Sequence, residues 1–161
     1  MKQPSEQEVL HRAAAYCSTT ERCIQDVLKK IESFSLSKEE NSRIISRLCQ
    51  EKFIDETRFA RSFANDKLRF NKWGRIKIDY ELRKKGIPSS VRDEAIGNID
   101  ESTYSGILHN LLRSKLKTIR EKDTQDTYYK LLRFAAGRGF TASETNLALK
   151  LILKDTYDPM E

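Results

Sequence analysis

Aligned with itself three times over, the chain repeats a pattern of apolar residues, and this repeat constrains the fold more than any other feature. Val27 falls on Ile78 and Leu131, Ile31 on Leu82 and Ala135, Leu36 on Ile87 and Phe140, Ile45 on Ile96 and Leu149, and Leu48 on Ile99 and Ile152. Every triplet is apolar throughout. Cassettes of about 50 residues bury too small a share of their surface to be firm alone and gain stability by stacking on their neighbours. Ser35, Gly86 and Gly139 share the turn position before the third anchor. A serine held at positive φ costs roughly 1 kcal/mol or more, so the first turn is expected to be looser or differently shaped than the other two.

The punctuation between the anchors predicts helices. Four Ser/Thr-x-x-Glu boxes, at Ser5–Glu8, Ser18–Glu21, Ser37–Glu40 and Thr141–Glu144, can satisfy the orphan amides of a helix start. Asp55, Ser90 after Pro88, and Thr124 mark three further starts, while Gly86 and Gly139 suit the left-handed residue after a helix end. Apolar residues recur at three- and four-residue spacing, as in Phe59 and Phe63, Ile78 and Leu82, or Leu147, Leu149 and Ile152, and sustained alternation is absent. Nine helices are expected near 5–16, 19–34, 38–52, 56–70, 74–85, 89–98, 102–120, 125–137 and 142–155. The expected fold is all-α: three tandem three-helix repeats, 1–52, 53–100 and 101–161, in an elongated, curved array. The polar run from Glu121 to Asp126 is the expected hinge.

Charge is segregated along this framework. The formal net charge is +6, yet residues 57–92 alone carry eleven Lys and Arg against three Asp and Glu, and residues 93–112 carry no Lys or Arg and four acidic groups. A second basic stretch follows at 113–138. Segregation of this kind favours a polyanion or an acidic protein surface as partner, the alternative being a solvated helix face. Three cysteines without a Cys-x-x-Cys pair and two isolated histidines favour neither disulfides nor a zinc site, and Cys17, Cys23 and Cys49 are expected as small packing residues. Glu6 and Glu8 stand where a signal peptide would carry its apolar stretch, and no apolar run is long enough to span a bilayer. A cytoplasmic protein with no membrane partner is expected.

Enzyme motifs are missing. The glycines fit neither a phosphate loop nor a dinucleotide fingerprint, no nucleophile elbow or His-Glu-x-x-His pair occurs, and the carboxylate pairs sit at helix starts, where the helix dipole accounts for them. No catalytic residue, cofactor or metal is expected. The stretch from Lys67 to Lys77 instead interleaves cations with Phe70 and Trp73. Trp73 has two readings, a stacking anchor for a partner or a plug between helices with the cations snorkelling around it. The stretch from Leu82 to Arg92 also looks like the turn of a helix-turn-helix, but the would-be reading helix carries Asp93 and Glu94, which phosphates repel. Nucleic acid, if bound, is expected to be held by its backbone without sequence readout.

Two segments carry a family resemblance. Phe53-Ile54-Asp55-Glu56-Thr57-Arg58-Phe59-Ala60 is similar to the Gly-aromatic/aliphatic-Ile-Asp-Asp…Phe-Ala signature of the RecX family of bacterial RecA regulators, and Gly74-Arg75-Ile76-Lys77-Ile78-Asp79-Tyr80-Glu81-Leu82-Arg83-Lys84-Lys85-Gly86-Ile87 resembles its Gly…Ile-x-x-Glu-Leu-x-x-Lys-Gly-Ile signature. Arg133-Phe134 and Gly137-Arg138-Gly139-Phe140 resemble the ending of its third repeat. The chain departs from the pattern at Lys52, where the family usually has Gly, and at Phe34-Ser35, where Lys-Gly is expected. The resemblance implies a non-enzymatic regulator in DNA repair, the SOS response and homologous recombination. It would bind the groove of the RecA filament on DNA as a monomer and inhibit recombinase, ATPase and co-protease activities. Arg58, Arg61, Lys67, Arg69, Lys72, Arg75, Lys77, Lys84 and Lys85 are the expected surface for RecA and for DNA phosphates. The rival readings are an independent nonspecific DNA-binding repeat protein and, without a carboxylate motif to support it, a nuclease.

Overall fold

The computed structural model describes residues 3–120 and 123–156, with side chains placed up to residue 153. Regular structure among the described residues is helical throughout: α1 Glu6–Thr19, α2 Ile24–Ile31, α3 Lys38–Gln50, α4 Glu56–Asn71, α5 Arg75–Lys84, α6 Ser89–Gly97, α7 Glu101–Leu116, α8 Thr124–Gly137 and α9 Ala142–Thr156. A 3-10 turn, Glu32–Phe34, follows α2. The chain is an all-α array of three-helix repeats.

Caps set most of the boundaries. Ser5 Oγ accepts from the Glu8 N–H at 3.2 Å. Ser37 and Glu40 close a reciprocal box at 3.0 and 3.1 Å, as do Thr141 and Glu144 at 3.3 and 3.0 Å. Asp55 and Asp100 accept from Arg58 and Thr103 amides at the starts of α4 and α7.

Three expected starts are corrected. The Ser18–Glu21 box begins no helix: the Ser18 hydroxyl donates back to the Ala14 carbonyl at 2.9 Å, α1 runs on to Thr19, and α2 starts at Ile24, where Asp26 accepts from the Cys23 N–H at 3.4 Å. At α6 the Pro88 carbonyl receives the Val91 and Arg92 amides, so the helix starts at Ser89. At α8 the cap is Asp123, accepting from Gln125 at 2.8 Å, rather than Thr124. α7 stops at Leu116, short of the expected 120, where the Thr118 hydroxyl donates to the Lys115 carbonyl and closes a turn. Glu121 and Lys122 of the expected hinge lie outside the described residues.

The apolar triplets form the cores. Val27, Ile78 and Leu131 are buried, as are Ile31, Leu82 and Ala135, and Leu48, Ile99 and Ile152; only Leu36, Ile45 and Ile96 are half-buried. Leu147, expected on the apolar stripe of α9, is instead 65% exposed, because Ala148, Leu149 and Ile152 take the inner face.

Two compact units are distinguished, Met1–Phe63 with Glu81–Ala95, and Ala64–Tyr80 with Ile96–Glu161. The first has its core in Val9, Ala13 and Cys17 of α1, Val27 and Ile31 of α2, and Ile44 and Leu48 of α3. The second buries Tyr104, Leu108 and Leu112 of α7 with Leu131, Ala135, Phe140 and Leu149.

The amides at a helix start lack partners within the helix, and each unit satisfies them on a middle helix with groups from the following repeat. In the first unit the Ile24 N–H donates to Glu56 Oε2 at 3.1 Å, the Gln25 side chain donates to the Lys84 carbonyl at 3.1 Å, and Lys85 pairs with Asp26 at 3.2 Å. In the second, the Gly74 and Ile76 amides donate to the Arg138 and Gly139 carbonyls at 2.8 and 3.1 Å, and the Arg75 N–H donates to Tyr104 Oη at 3.1 Å.

The turn position behaves alike in all three repeats. Ser35 adopts φ 59°, beside 77° at Gly86 and 97° at Gly139, so the first turn keeps the left-handed residue that its sequence disfavours. What distinguishes it is the 3-10 turn leading in, closed by the Ser35 N–H on the Glu32 carbonyl at 3.2 Å. Lys52 and Lys72 are also left-handed, at φ 66° and 58°.

Candidate functional site

Four of the nine expected binding cations belong to the first unit, and each has an acidic partner. Arg58 reaches Glu21 at 2.6 Å and Asp55 at 4.0 Å, and Arg61 Nε donates to both oxygens of Glu94 at 2.9 and 3.2 Å. Lys84 pairs with Glu81 at 3.3 Å, and Lys85 with Asp26. Asp26 sits partly buried, which raises its pKa, but hydrogen bonds from Cys23 and Lys85 outweigh burial and hold it below the ordinary carboxylate range. A phosphate approaching these cations must compete with the carboxylates already there.

The other five lie in the second unit, and four of them gather at the α4–α5 junction. The Lys67 and Lys77 ammonium groups stand 5.0 and 4.8 Å from the centre of the Trp73 ring. Such contacts are worth about 0.5–1 kcal/mol at exposed sites. Lys72 donates from Nζ to the Arg69 carbonyl, and Arg69 is exposed and in no ion pair among the described residues. Trp73 is half-buried, so it packs and presents one edge at once. Phe70 is 79% exposed, which excludes it as the plug between helices and leaves a bare aromatic face beside the cations.

Arg75 does different work. Its guanidinium lies 3.8 Å from the Tyr104 ring centre and reaches Glu101 at 2.6 Å and Glu144 at 3.9 Å. Burial and the Glu144 carboxylate hold the Tyr104 phenol well above its ordinary pKa, so it stays protonated. This is a strut of the joint rather than a free cation.

The backbone beneath the cluster is tightly set. A Cβ on Gly74 would lie 2.4 Å from the Gly139 carbonyl oxygen, and one on Gly139 would lie 2.4 Å from Lys77 Cβ. Glycine at both positions lets the turn between α8 and α9 press against the start of α5, placing Arg138 at the same junction. Arg138 donates to the Asn71 carbonyl at 2.9 Å and stands 5.4 Å from the Phe134 ring, with Lys115 5.0 Å from the same ring. Arg138, Lys115 and Phe134 were missed as site residues, although the second basic stretch and the Arg133-Phe134…Gly137-Arg138-Gly139-Phe140 segment pointed to them.

Among the described residues no group of three or more His, Cys, Asp or Glu is placed to share a metal ion, and no helix is long and apolar enough to cross a membrane. The three thiols are free, and burial pushes that of Cys23 up to about 11, so it stays neutral near pH 7.

Against known proteins, residues 55–96 match the family description "RecX, second three-helix domain". The "Regulatory protein RecX" of Clostridium tetani is 32% identical over 136 residues, covering 83% of this chain and 61% of that protein. The chain thus spans somewhat under two thirds of that relative. The protein of the same description from Prosthecochloris aestuarii is 26% identical over 155 residues, covering 95% of this chain and 99% of its own length. Among solved structures, "Crystal structure of RecX from Lactobacillus salivarius" superposes with a TM-score of 0.82 at 18% identity, covering 90% of this chain and 94% of that one. A second, "Crystal structure of regulatory protein RecX", gives 0.78 at 20% identity, covering 90% and 73%. These two likenesses establish a shared fold.

Proposed function

We propose, on the premise that this chain belongs to the RecX family of regulatory proteins, that it is a non-enzymatic cytoplasmic regulator of the recombinase RecA that binds the groove of the RecA filament on DNA and inhibits its cycle. The observation that carries the reading is the cation cluster around Trp73: Lys67 and Lys77 over the ring, with Lys72, Arg69 and Arg138 nearby and no carboxylate paired to Arg69 among the described residues. A concentrated basic surface on a rigid helical junction fits a polyanion or an acidic rim, and several modest contacts in one chain raise avidity. The repeats 1–52, 53–100 and 101–161 are read as the duplicated units. Of the nine expected residues, Lys67, Arg69, Lys72 and Lys77 are assigned to binding. Arg58, Arg61, Arg75, Lys84 and Lys85 are assigned mainly to the ion pairs they already make.

The second reading, an independent nonspecific DNA-binding protein, is favoured by Phe70, whose exposed ring beside Arg69 can stack on an unpaired base. Titration against single and duplex DNA without RecA, at two salt concentrations, separates the two. The regulator reading predicts weak, steeply salt-dependent binding to DNA alone and strong binding to RecA on single-stranded DNA. Equal affinity with and without RecA would replace it with the second.

A further inference from the structure

A groove between the first and third helices recurs in the repeats, and its rim changes chemistry in the last. In the first repeat it runs between α1 and α3, lined by Glu6, Gln7, Leu10, Arg43, Ile44 and Arg47. Charge closes that rim: Arg43 pairs with Glu6 at 2.8 Å, and Arg47 with Glu51 at 2.8 Å. Along the register that places Leu48 on Ile99 and Ile152, Arg43 falls on Glu94 and Leu147, Ile44 on Ala95 and Ala148, and Arg47 on Asn98 and Leu151. In the second repeat the rim is again an ion pair, Glu94 with Arg61.

The third repeat breaks the pattern. Leu147 and Leu151 stand one turn apart on α9, 65% and 54% exposed, over a cleft of about 270 Å³ floored by Leu108 and Ala148. The smaller Ala148 in place of Ile44 deepens it. The surrounding charge is acidic: Glu101 and Glu144 line the same cleft, and residues 93–112 hold no Lys or Arg. Apolar side chains standing in water where the other copies carry paired charges mark a surface built for something that covers them.

We propose that the groove between α7 and α9 is a docking site for a short amphipathic helix of a partner protein, one that presents apolar side chains a turn apart and Lys or Arg on its flank. Anchors at i and i+4 of such a helix match the spacing of Leu147 and Leu151. The acidic rim selects the basic flank and repels nucleic acid. A cleft of about 270 Å³ takes two or three side chains, well short of the roughly 1,000 Å² of buried surface expected of a specific protein–protein interface, so a second copy of this chain is not the occupant. The inference goes beyond the regulator reading and does not require the partner to be RecA.

The test uses the full chain with its leucine methyls labelled and a synthetic helical peptide carrying leucines at i and i+4 among lysines. Methyl resonances of Leu108, Leu147 and Leu151 should shift and saturate. Affinity should fall at least tenfold when the peptide leucines become Gln, when its lysines become Glu, or when the protein carries Leu147→Arg and Leu151→Arg, the residues the first repeat already holds there. Absence of shifts up to millimolar peptide, equal binding of the Glu peptide, or unchanged binding by the Arg variant would overturn the proposal. Shifts that follow protein concentration alone would overturn it in favour of a second copy.

Discussion

Gly74 and Gly139 show how a single missing Cβ sets a joint. Backbone cannot step aside as a flexible side chain can, and the Gly139 carbonyl lies 2.4 Å from where an alanine Cβ at 74 would stand. Gly74→Ala is therefore expected to destabilise the protein by roughly 2 kcal/mol or more, read as a lowered urea midpoint. Lys52 presents the opposite case. It holds φ 66° where a glycine would pay no steric penalty, and the unfolded-state entropy of glycine offsets only part of that gain. Lys52→Gly should stabilise by roughly 0.5 kcal/mol in the same measurement. Asp26 ties stability to pH: its folded pKa is depressed, so its contribution is present above the unfolded value of about 4 and is lost as pH falls below it. Asp26→Asn should flatten the acid limb of a stability–pH curve, with the wild type losing more stability between pH 5 and pH 3.

At the scale of elements, the start of α5 concentrates the binding chemistry. Lys67 and Lys77 reach it from opposite sides of Trp73, one from α4 and one from α5 itself. If both neutralise phosphates, replacing both with Gln should reduce the slope of log K against log salt for DNA binding by about 1.5; an unchanged slope would place the phosphates elsewhere. This element also shows what the sequence made legible. Capping boxes and apolar triplets located the helices, because both are local or periodic signals. The Ser18–Glu21 box misled because a Ser18 hydroxyl can equally bond back to the preceding turn, which extends a helix instead of starting one. The list of cations was right in composition but blind to pairing. That Arg61 meets Glu94 and Arg58 meets Glu21 depends on tertiary approach, which no spacing along the chain encodes. Arg138 was missed for the same reason: the contact between Gly74 and the α8–α9 turn brings it to α5 from far along the chain.

Taken as a whole molecule, the chain uses one helical cassette three times with different surface chemistry each time. The first copy balances its charges internally, the second concentrates cations around Trp73, and the third exposes Leu147 and Leu151 above an acidic rim. Duplication keeps the buried anchors, which stability requires, and frees the outer positions to diverge. The central claim is that the cations around Trp73 meet the RecA filament. The most direct measurement is ATP hydrolysis by RecA on single-stranded DNA, titrated with wild-type protein and with the variant Lys67→Glu, Arg69→Glu, Lys77→Glu, both checked for equal helicity and urea midpoint. The concentration giving half-inhibition should rise at least tenfold for the variant; inhibition at the wild-type concentration would contradict the account.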